Sequence, residues 1–139
     1  MHPYISFLFF GGASILSLAF AAKKYNYVAP VMMQSPGLTI KGGRHPLQEL
    51  CVDTFIPNDV DIGTMSRSER VHIVSGGNGS GKSVWMKMVA IITFMSHIGS
   101  FVPAQNARIG LVDKILTRIM TRESATSVRV SIDTFLYIL

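Results

Sequence analysis

Eight consecutive residues near the middle of the chain have the types and the spacing that hold phosphate groups. They match the pattern G-x-x-x-x-G-K-[ST], and they are Gly76, Gly77, Asn78, Gly79, Ser80, Gly81, Lys82 and Ser83. Glycines let successive backbone N–H groups turn toward one anion, because no Cβ atom stands in the way. We expect Lys82 to reach the outer phosphates of a nucleotide and the Ser83 hydroxyl to bind Mg²⁺. The motif therefore predicts a site for a nucleotide with its magnesium ion.

The segments on either side of this loop are predicted to position it. Residues 71–74 (VHIV) predict a strand that enters the loop, and residues 82–97 predict a helix that leaves it. A helix that begins at the loop points the positive end of its dipole at the phosphates. Apolar side chains lie on nearly every side of this helix, so we expect it to be buried all round. The order of strand, loop and helix distinguishes the motif from a chance match in a glycine-containing turn.

Length and composition limit the kind of protein that carries this loop. The chain has 139 residues, of which 48% are hydrophobic and 15% are charged, so it is one domain or less and covers only a small core. Its net charge of +5 favours anionic partners such as a nucleotide or DNA. Cys51 is the single cysteine, which excludes a disulfide framework and a cysteine-based metal site. A reducing compartment is consistent with this cysteine content.

The N-terminal part of the chain contains an uncharged run at residues 5–22. Its length raises the possibility of a membrane span or a signal peptide. No lysine or arginine precedes the run, however, and Gly11 and Gly12 interrupt it. We therefore predict a buried helix over residues 13–25, with Lys23 and Lys24 at its C-terminus, where basic side chains favour the helix dipole. Residues 1–12 are expected to be unstructured.

The remaining chain is predicted to alternate short strands with loops. The strands are expected at residues 38–40, 50–56 and 109–119, the proline-containing linker at 30–37, the turn at 57–59, and the loops at 61–69 and 99–107. Gly42 and Gly43 are expected to end the first of these strands.

Four segments around the loop resemble the ATPase domain of the MutS family of DNA mismatch repair and recombination proteins. They are GRHPL at residues 43–47, FIPNDV at 55–60, the glycine-rich loop at 76–83, and HIGSFVPA at 97–104, followed by IGLVD at 109–113 and TRI at 117–119. The resemblance covers roughly residues 13–129. It implies an α/β P-loop NTPase fold, in which this chain would be the N-terminal half of an ABC-like ATPase domain.

The resemblance also divides the chain. Residues 1–12 stay unassigned, residues 13–37 are a helix and linker that enter the domain, and residues 38–129 are the partial ATPase domain with its P-loop at 76–83. Residues 130–139 form an unassigned tail.

Roles for single residues and for partners follow from the same resemblance. Asn78 would sense the γ-phosphate, while Phe55, Ile56 and Asn58 would hold the adenine base. The cofactors would be ATP and Mg²⁺. In the intact protein the partners would be DNA and a second MutS homologue in a heterodimer, without a membrane, and the location would be the nucleus. Residues 49–51 and 117–127 look closest to the meiotic branch of the family.

Two departures from the family pattern limit the expected chemistry. Gly77 stands where the family usually has proline, and the Asp-Glu pair of the Walker B strand is not found in this sequence. Those carboxylates bind the metal ion and orient water, so we expect nucleotide binding with weak or absent hydrolysis. No residue is assigned a certain catalytic role, and Asp113 is only a weak substitute for the Walker B aspartate.

Other interpretations stay open at this point. The glycine-rich loop alone equally suits another ABC-type or chromosome-maintenance P-loop ATPase, although the segments at 43–47 and 97–104 argue against it. A second alternative is a non-catalytic fragment that serves as an interaction module. A third is a membrane transporter with residues 5–22 as a span.

Several other polar residues are interpreted as structural. His45 and His97 have no second metal ligand at a suitable spacing, and Arg44 is expected to bridge parts of the core. Lys114, Arg118 and Arg122 are expected to form a solvated edge rather than a DNA contact.

Overall fold

A computed structural model of the chain describes residues 3–63, 72–77, 79–119 and 134–138. These ranges contain two α-helices, α1 (Pro3–Lys24) and α2 (Lys82–His97). The strands in the same ranges are β1 (Val31–Met33), β2 (Leu38–Gly43), β3 (Asn58–Ile62), β4 (Asn106–Gly110), β5 (Ile115–Ile119) and β6 (Thr134–Ile138), and a 3-10 turn covers Gln48–Leu50.

The main sheet is mixed and has the strand order β1-β4-β2-β3. β1 runs parallel to β4, with Met32 opposite Ile109. β2 is antiparallel to both of its neighbours, so that Ile40 lies opposite Ala107 on one side and Val60 on the other. β5 and β6 form a separate antiparallel pair.

The core lies between this sheet and one face of α2. Leu38 and Ile40 alternate with less buried residues along β2, because successive side chains of a strand point to opposite faces. Met88, Val89 and Ile92 of α2 are fully buried and belong to the same apolar cluster. Their spacing places them on one face of a helix, so α2 is attached to the sheet along one side.

Outside this face α2 is half-buried or exposed, contrary to the prediction that the helix is buried all round. Phe94 is 57% exposed, although it lies next to the fully buried Thr93. The Thr93 hydroxyl donates to the carbonyl oxygen of Val89 at 2.8 Å, which satisfies this polar group inside the core. The apolar residues on nearly every side of α2 therefore did not predict which of its faces are buried by other elements.

β2 continues through the two glycines that were predicted to end it. Gly42 has a φ of +57°, and the register between β2 and β3 shifts between Ile40 and Gly43, which marks a bulge. The Asp59 carboxylate stabilises the bulge in two ways. It accepts the Gly42 amide hydrogen at 2.8 Å, and it forms an ion pair with the Lys41 ammonium group at 3.0 Å. The glycines therefore bend the strand without stopping it.

The region between β2 and α2 differs most from its prediction. The strand expected at residues 50–56 is absent, and the chain instead forms the 3-10 turn at Gln48–Leu50 and then an irregular segment. β3 occupies residues that were predicted as a turn and a polar loop. Val60 is its one buried residue, Ile62 is partly buried against the core, and both alternate with aspartates. The alternation covers only these two apolar positions and follows the turn-like sequence Pro57-Asn58-Asp59, which favoured a turn and a loop.

The prediction of an α/β P-loop NTPase fold is wrong. Residues 72–77, which precede the glycine-rich loop, contain no strand, and Val71 lies outside the described residues. Ile73 is 90% exposed, so this short apolar run is not part of the core. The described residues form a mixed sheet with two helices. No strand of this sheet leads into the glycine-rich loop, as the predicted fold would require. The expected half of an ABC-like ATPase domain is corrected accordingly.

α1 begins earlier than the predicted helix, and residues 12–20, within the part whose burial is described, are exposed. It starts at Pro3, and Ile15 and Phe20 are 70% and 75% exposed. Among the described residues, no helix combines the length and the apolar character needed to cross a membrane.

The strand predicted at residues 109–119 is not continuous. This segment contains the end of β4 and, after a short link, the separate strand β5.

Candidate phosphate-binding site

The glycine-rich loop leads directly into α2. Gly81 is the N-cap residue of this helix and has a φ of +89°, and Gly79 has a φ of +78°. Residues with a side chain rarely adopt this left-handed conformation, which explains glycine at these positions. The first helical hydrogen bond runs from the Trp85 amide to the Gly81 carbonyl oxygen at 2.8 Å. Asn78 lies outside the described residues.

Lys82 folds back over the loop that precedes it. Its ammonium nitrogen, Nζ, donates to the carbonyl oxygens of Gly76 at 2.8 Å and Gly77 at 2.7 Å. The Gly77 carbonyl oxygen also accepts the Ser80 amide hydrogen at 3.3 Å. An ammonium group has three N–H donors, so these two bonds hold the cation in place across the loop and leave one donor for another acceptor.

The start of α2 is open and carries no negative charge. Residues 76, 77 and 79–81 of the loop are exposed, as is Ser83, while Lys82 is half-buried. The first turn of α2 contains no acidic residue, and no side chain caps it. The first N–H groups of a helix have no partner within the helix and carry a partial positive charge. Together with the Lys82 cation, they can bind an anion.

The Ser83 hydroxyl follows Lys82 at the helix start, where it could contribute one oxygen ligand to Mg²⁺. Within the described ranges there is no group of three His, Cys, Asp or Glu residues that could hold a metal ion. A magnesium ion at this site would therefore have to be held largely by phosphate oxygens and water, as is common for this ion.

The residues predicted to hold the base lie on a different segment. Ile56 is 77% exposed and Phe55 is half-buried. The side-chain Nδ2 atom of Asn58 donates to the Ile56 carbonyl oxygen at 2.9 Å. This bond uses one donor of Asn58 to shape its own segment. Among the described residues, no hydrogen bond joins these three residues to the glycine-rich loop.

Gly43 shows how this segment is related to α2. A Cβ atom built on Gly43 would lie 3.1 Å from the Asn58 carbonyl oxygen and 3.3 Å from the Met88 methyl carbon, Cε. The start of β3 and the middle of α2 therefore both approach this glycine. Met88 follows Lys82 by six residues, a rise of about 9 Å along the helix axis. No pattern in the sequence predicts this packing role of Gly43.

The two histidines of the flanking segments make structural hydrogen bonds. His45 is buried, and its Nδ1 atom accepts the amide hydrogens of Leu47 at 3.3 Å and Gln48 at 3.2 Å. The His97 Nδ1 atom lies 2.8 Å from the Thr93 carbonyl oxygen, and its Nε2 atom accepts the Val112 amide hydrogen at 3.0 Å. Both rings thus organise the backbone around them.

The predicted basic edge is only partly described. Lys114 is exposed just before β5, Arg118 belongs to β5, and Arg122 lies outside the described residues. Asp113, the weak candidate for a metal-binding carboxylate, is also exposed in the link between β4 and β5.

Comparison with known proteins relates this sequence to one family. Residues 72–137 match the family model described as MutS domain V. The DNA mismatch repair protein MutS of Carboxydothermus hydrogenoformans is 48% identical over 107 residues, which are 76% of this chain and 12% of that protein. The DNA mismatch repair proteins Msh3 of Mus musculus and Homo sapiens are each 45% identical over 107 residues. Those residues are 75% of this chain and 10% and 9% of the two proteins.

The chain therefore spans only 12% of the length of the bacterial MutS protein. The names of these relatives give no support to the predicted meiotic branch. Over the region that these matches cover, the chain belongs to the MutS family of DNA mismatch repair proteins.

Proposed function

We propose that residues 76–83 bind the phosphates of ATP or ADP together with Mg²⁺. The observation that carries this proposal is the position of Lys82, whose ammonium group is held across the loop by the carbonyl oxygens of Gly76 and Gly77. Its remaining N–H donor would bond to a phosphate oxygen. A charge-assisted bond of this kind is about twice as strong as a bond between neutral groups.

The backbone contributes the second part of the proposed site. The N–H groups at the start of α2 would bind the same phosphate, because they lie at the positive end of the helix dipole. No acidic side chain in the first turn opposes the anion. Asn78 is proposed to contact the γ-phosphate, as the family resemblance implies. The Ser83 hydroxyl is proposed to bind Mg²⁺.

The base is proposed to contact Phe55, Ile56 and Asn58. The large exposed fraction of Ile56, 77%, supports this because an apolar surface at this position is free to pack on a purine ring. Hydrolysis by this chain alone is expected to be weak or absent, since its sequence contains no Asp-Glu pair of the Walker B type.

The role of the whole protein is a further proposal. The relatives carry the name DNA mismatch repair protein, and we infer that the longer protein to which this segment corresponds binds mismatched or recombination-intermediate DNA. We propose that it pairs with a second MutS homologue and functions in the nucleus. The meiotic branch remains a prediction from residues 49–51 and 117–127.

Isothermal titration calorimetry with the chain, MgATP and two variants tests the nucleotide site. We expect binding by the unchanged chain and at least a tenfold weaker affinity for Lys82→Ala, because a charged contact to phosphate is worth about 1.5–3 kcal/mol. Lys114→Ala is the control, because it removes the same type of charge from an exposed position that is not part of the loop. Circular dichroism establishes that each variant is folded. Equal affinity in Lys82→Ala and Lys114→Ala would show that general positive charge, not this loop, attracts the nucleotide.

A further inference from the structure

Arg44 joins three segments that are distant in the sequence. Its guanidinium Nη2 atom donates to the carbonyl oxygens of Tyr25 at 3.0 Å and Asn26 at 3.3 Å, just after the end of α1. Its backbone amide donates to the Pro103 carbonyl oxygen at 2.8 Å, in the chain that follows α2. One residue at the end of β2 therefore contacts the chain beyond both helices.

The end of α1 needs such a partner. Asn26 has a φ of +53°, which turns the chain sharply at the end of the helix. The last carbonyl oxygens of a helix have no partner within it and lie at the negative end of its dipole. The Arg44 cation satisfies two carbonyl oxygens at this end, and its carbon Cζ lies 5.9 Å from the Tyr27 ring centroid. Arg44 therefore holds the chain that follows α1 against the end of β2.

The chain segments after the two helices also pair with each other. Val28 and Val102 exchange two backbone hydrogen bonds, each of 2.9 Å. The Ser100 amide donates to the Met95 carbonyl oxygen at 3.0 Å, which ties this segment to the end of α2. Val102 is fully buried. A displacement at the end of α2 would therefore reach the end of α1 through this pair.

Glu49 holds the guanidinium group from the other side. Its Oε2 atom lies 3.3 Å from Nη1 of Arg44, and the two side chains are only 10% and 26% exposed. The other carboxylate oxygen, Oε1, is buried without a hydrogen-bond partner among the described residues. This partly buried pair orients Arg44 at an energetic cost, because a desolvated carboxylate oxygen is left without a bond.

We propose that Arg44 is a positioning residue that couples the end of α1 to the end of α2, so that the two segments open together. The coupling depends on the planar guanidinium group, which can bond to carbonyl oxygens with one nitrogen and to a carboxylate with the other. A lysine at this position would have the charge but not this geometry. The coupled segments are residues 25–28 and 100–103.

Amide hydrogen exchange in the full chain tests this coupling at Val28 and Val102. In Arg44→Met and Arg44→Lys we expect both amides to exchange at least about tenfold faster, which is the effect of losing a hydrogen bond to a charged group. The amides of Met88 and Ile92, within α2, should keep their protection. Glu49→Gln should also increase the exchange rates of the Val28 and Val102 amides. This variant replaces the Arg44 variants in the test if those fail to fold.

Lys41→Met is the matched control. Lys41 lies on the same strand and forms an ion pair with Asp59, but both side chains are largely exposed, at 58% and 61%. Its loss should leave Val28 and Val102 unchanged. The proposal is overturned if only one of the two amides responds, if Arg44→Lys behaves like the unchanged chain, or if all amides, including Met88 and Ile92, lose protection equally. The same conclusion follows if neither amide responds.

Discussion

The Nδ1 atom of His45 accepts the backbone amide hydrogen of Gln48 at 3.2 Å. The bond lies at the start of the 3-10 turn, where amide groups otherwise lack partners, and it can form only when Nδ1 carries no proton. Burial, followed by the positive charge of Lys87, lowers the pKa of His45 below its ordinary value of 6.5. The turn between β2 and β3 thus depends on a neutral histidine.

We therefore expect the free energy of unfolding to decrease in mildly acidic solution. The folded chain binds a proton at His45 less readily than the unfolded chain. The contribution of this site is complete above the unfolded value of 6.5, and it is lost as the pH falls through the lower pKa of the folded state. Urea unfolding of His45→Gln should show a smaller decrease between about pH 7.5 and about pH 5, because glutamine offers an acceptor that does not titrate. His72→Gln, at an exposed position, should retain the decrease; identical curves for the two variants would contradict this explanation.

Gly81→Ala should destabilise the chain through its backbone alone. The φ of Gly81 is +89°, and no atom lies within 4 Å of a Cβ built there, so there is strain without a clash. We expect a loss of about 1–2 kcal/mol in the free energy of unfolding. Gly77→Ala is the matched control, because that position also has open space but no left-handed φ. Its stability should be unchanged or raised by up to about 1 kcal/mol. Urea denaturation of both variants measures the difference, and equal losses would rule out the backbone explanation.

Two alanine variants of α2 should distinguish its buried and exposed sides. Ile92 is fully buried, so Ile92→Ala is expected to cost about 2–5 kcal/mol through lost burial and a cavity. Phe94 is 57% exposed, and Phe94→Ala should cost less than about 1 kcal/mol. Thermal or urea unfolding of the two variants provides the comparison. A larger loss for Phe94→Ala would mean that the exposed side of α2 is packed in solution.

Ser83→Ala should weaken the effect of Mg²⁺ on nucleotide binding. If the hydroxyl is an oxygen ligand of the ion, its removal should reduce the gain in ATP affinity on adding Mg²⁺ while leaving affinity for ATP without the metal nearly unchanged. Calorimetric titrations with and without Mg²⁺ give both values. Ser83→Thr keeps a hydroxyl and should retain most of the gain. An undiminished gain in Ser83→Ala would exclude the hydroxyl as a ligand.

Local sequence patterns predicted α2 correctly in type and in its bounds, Lys82–His97. Its start is marked by a glycine that adopts a left-handed conformation, and Gly99, just after its end, also has a positive φ of 77°. Between them no proline or glycine interrupts the helix. These are short-range signals, and they act whether or not the helix packs against a sheet. The residues of the glycine-rich loop were identified in the same way.

β3 could not be found by those means. Its apolar alternation is limited to Val60 and Ile62. The strand is held by pairing with β2 and by Asp59, whose carboxylate accepts the Gly42 amide hydrogen across the two strands. The contact joins residues that are 17 positions apart. No pattern within either segment indicates it, because the partner supplies both the register and the bulge.

The sequence by itself determined the glycine-rich loop, the helix that follows it and the resemblance to the MutS family, since these depend on residue types at short, regular spacings. Only the tertiary structure decided that the strands form a mixed sheet, that α2 is covered on one side, and that Arg44 connects the ends of both helices. Those features depend on which segments meet, and that choice is made by burial and hydrogen bonding summed over the whole fold. A strand such as 71–74, plausible from its apolar residues alone, forms only if the sheet provides it with a neighbour.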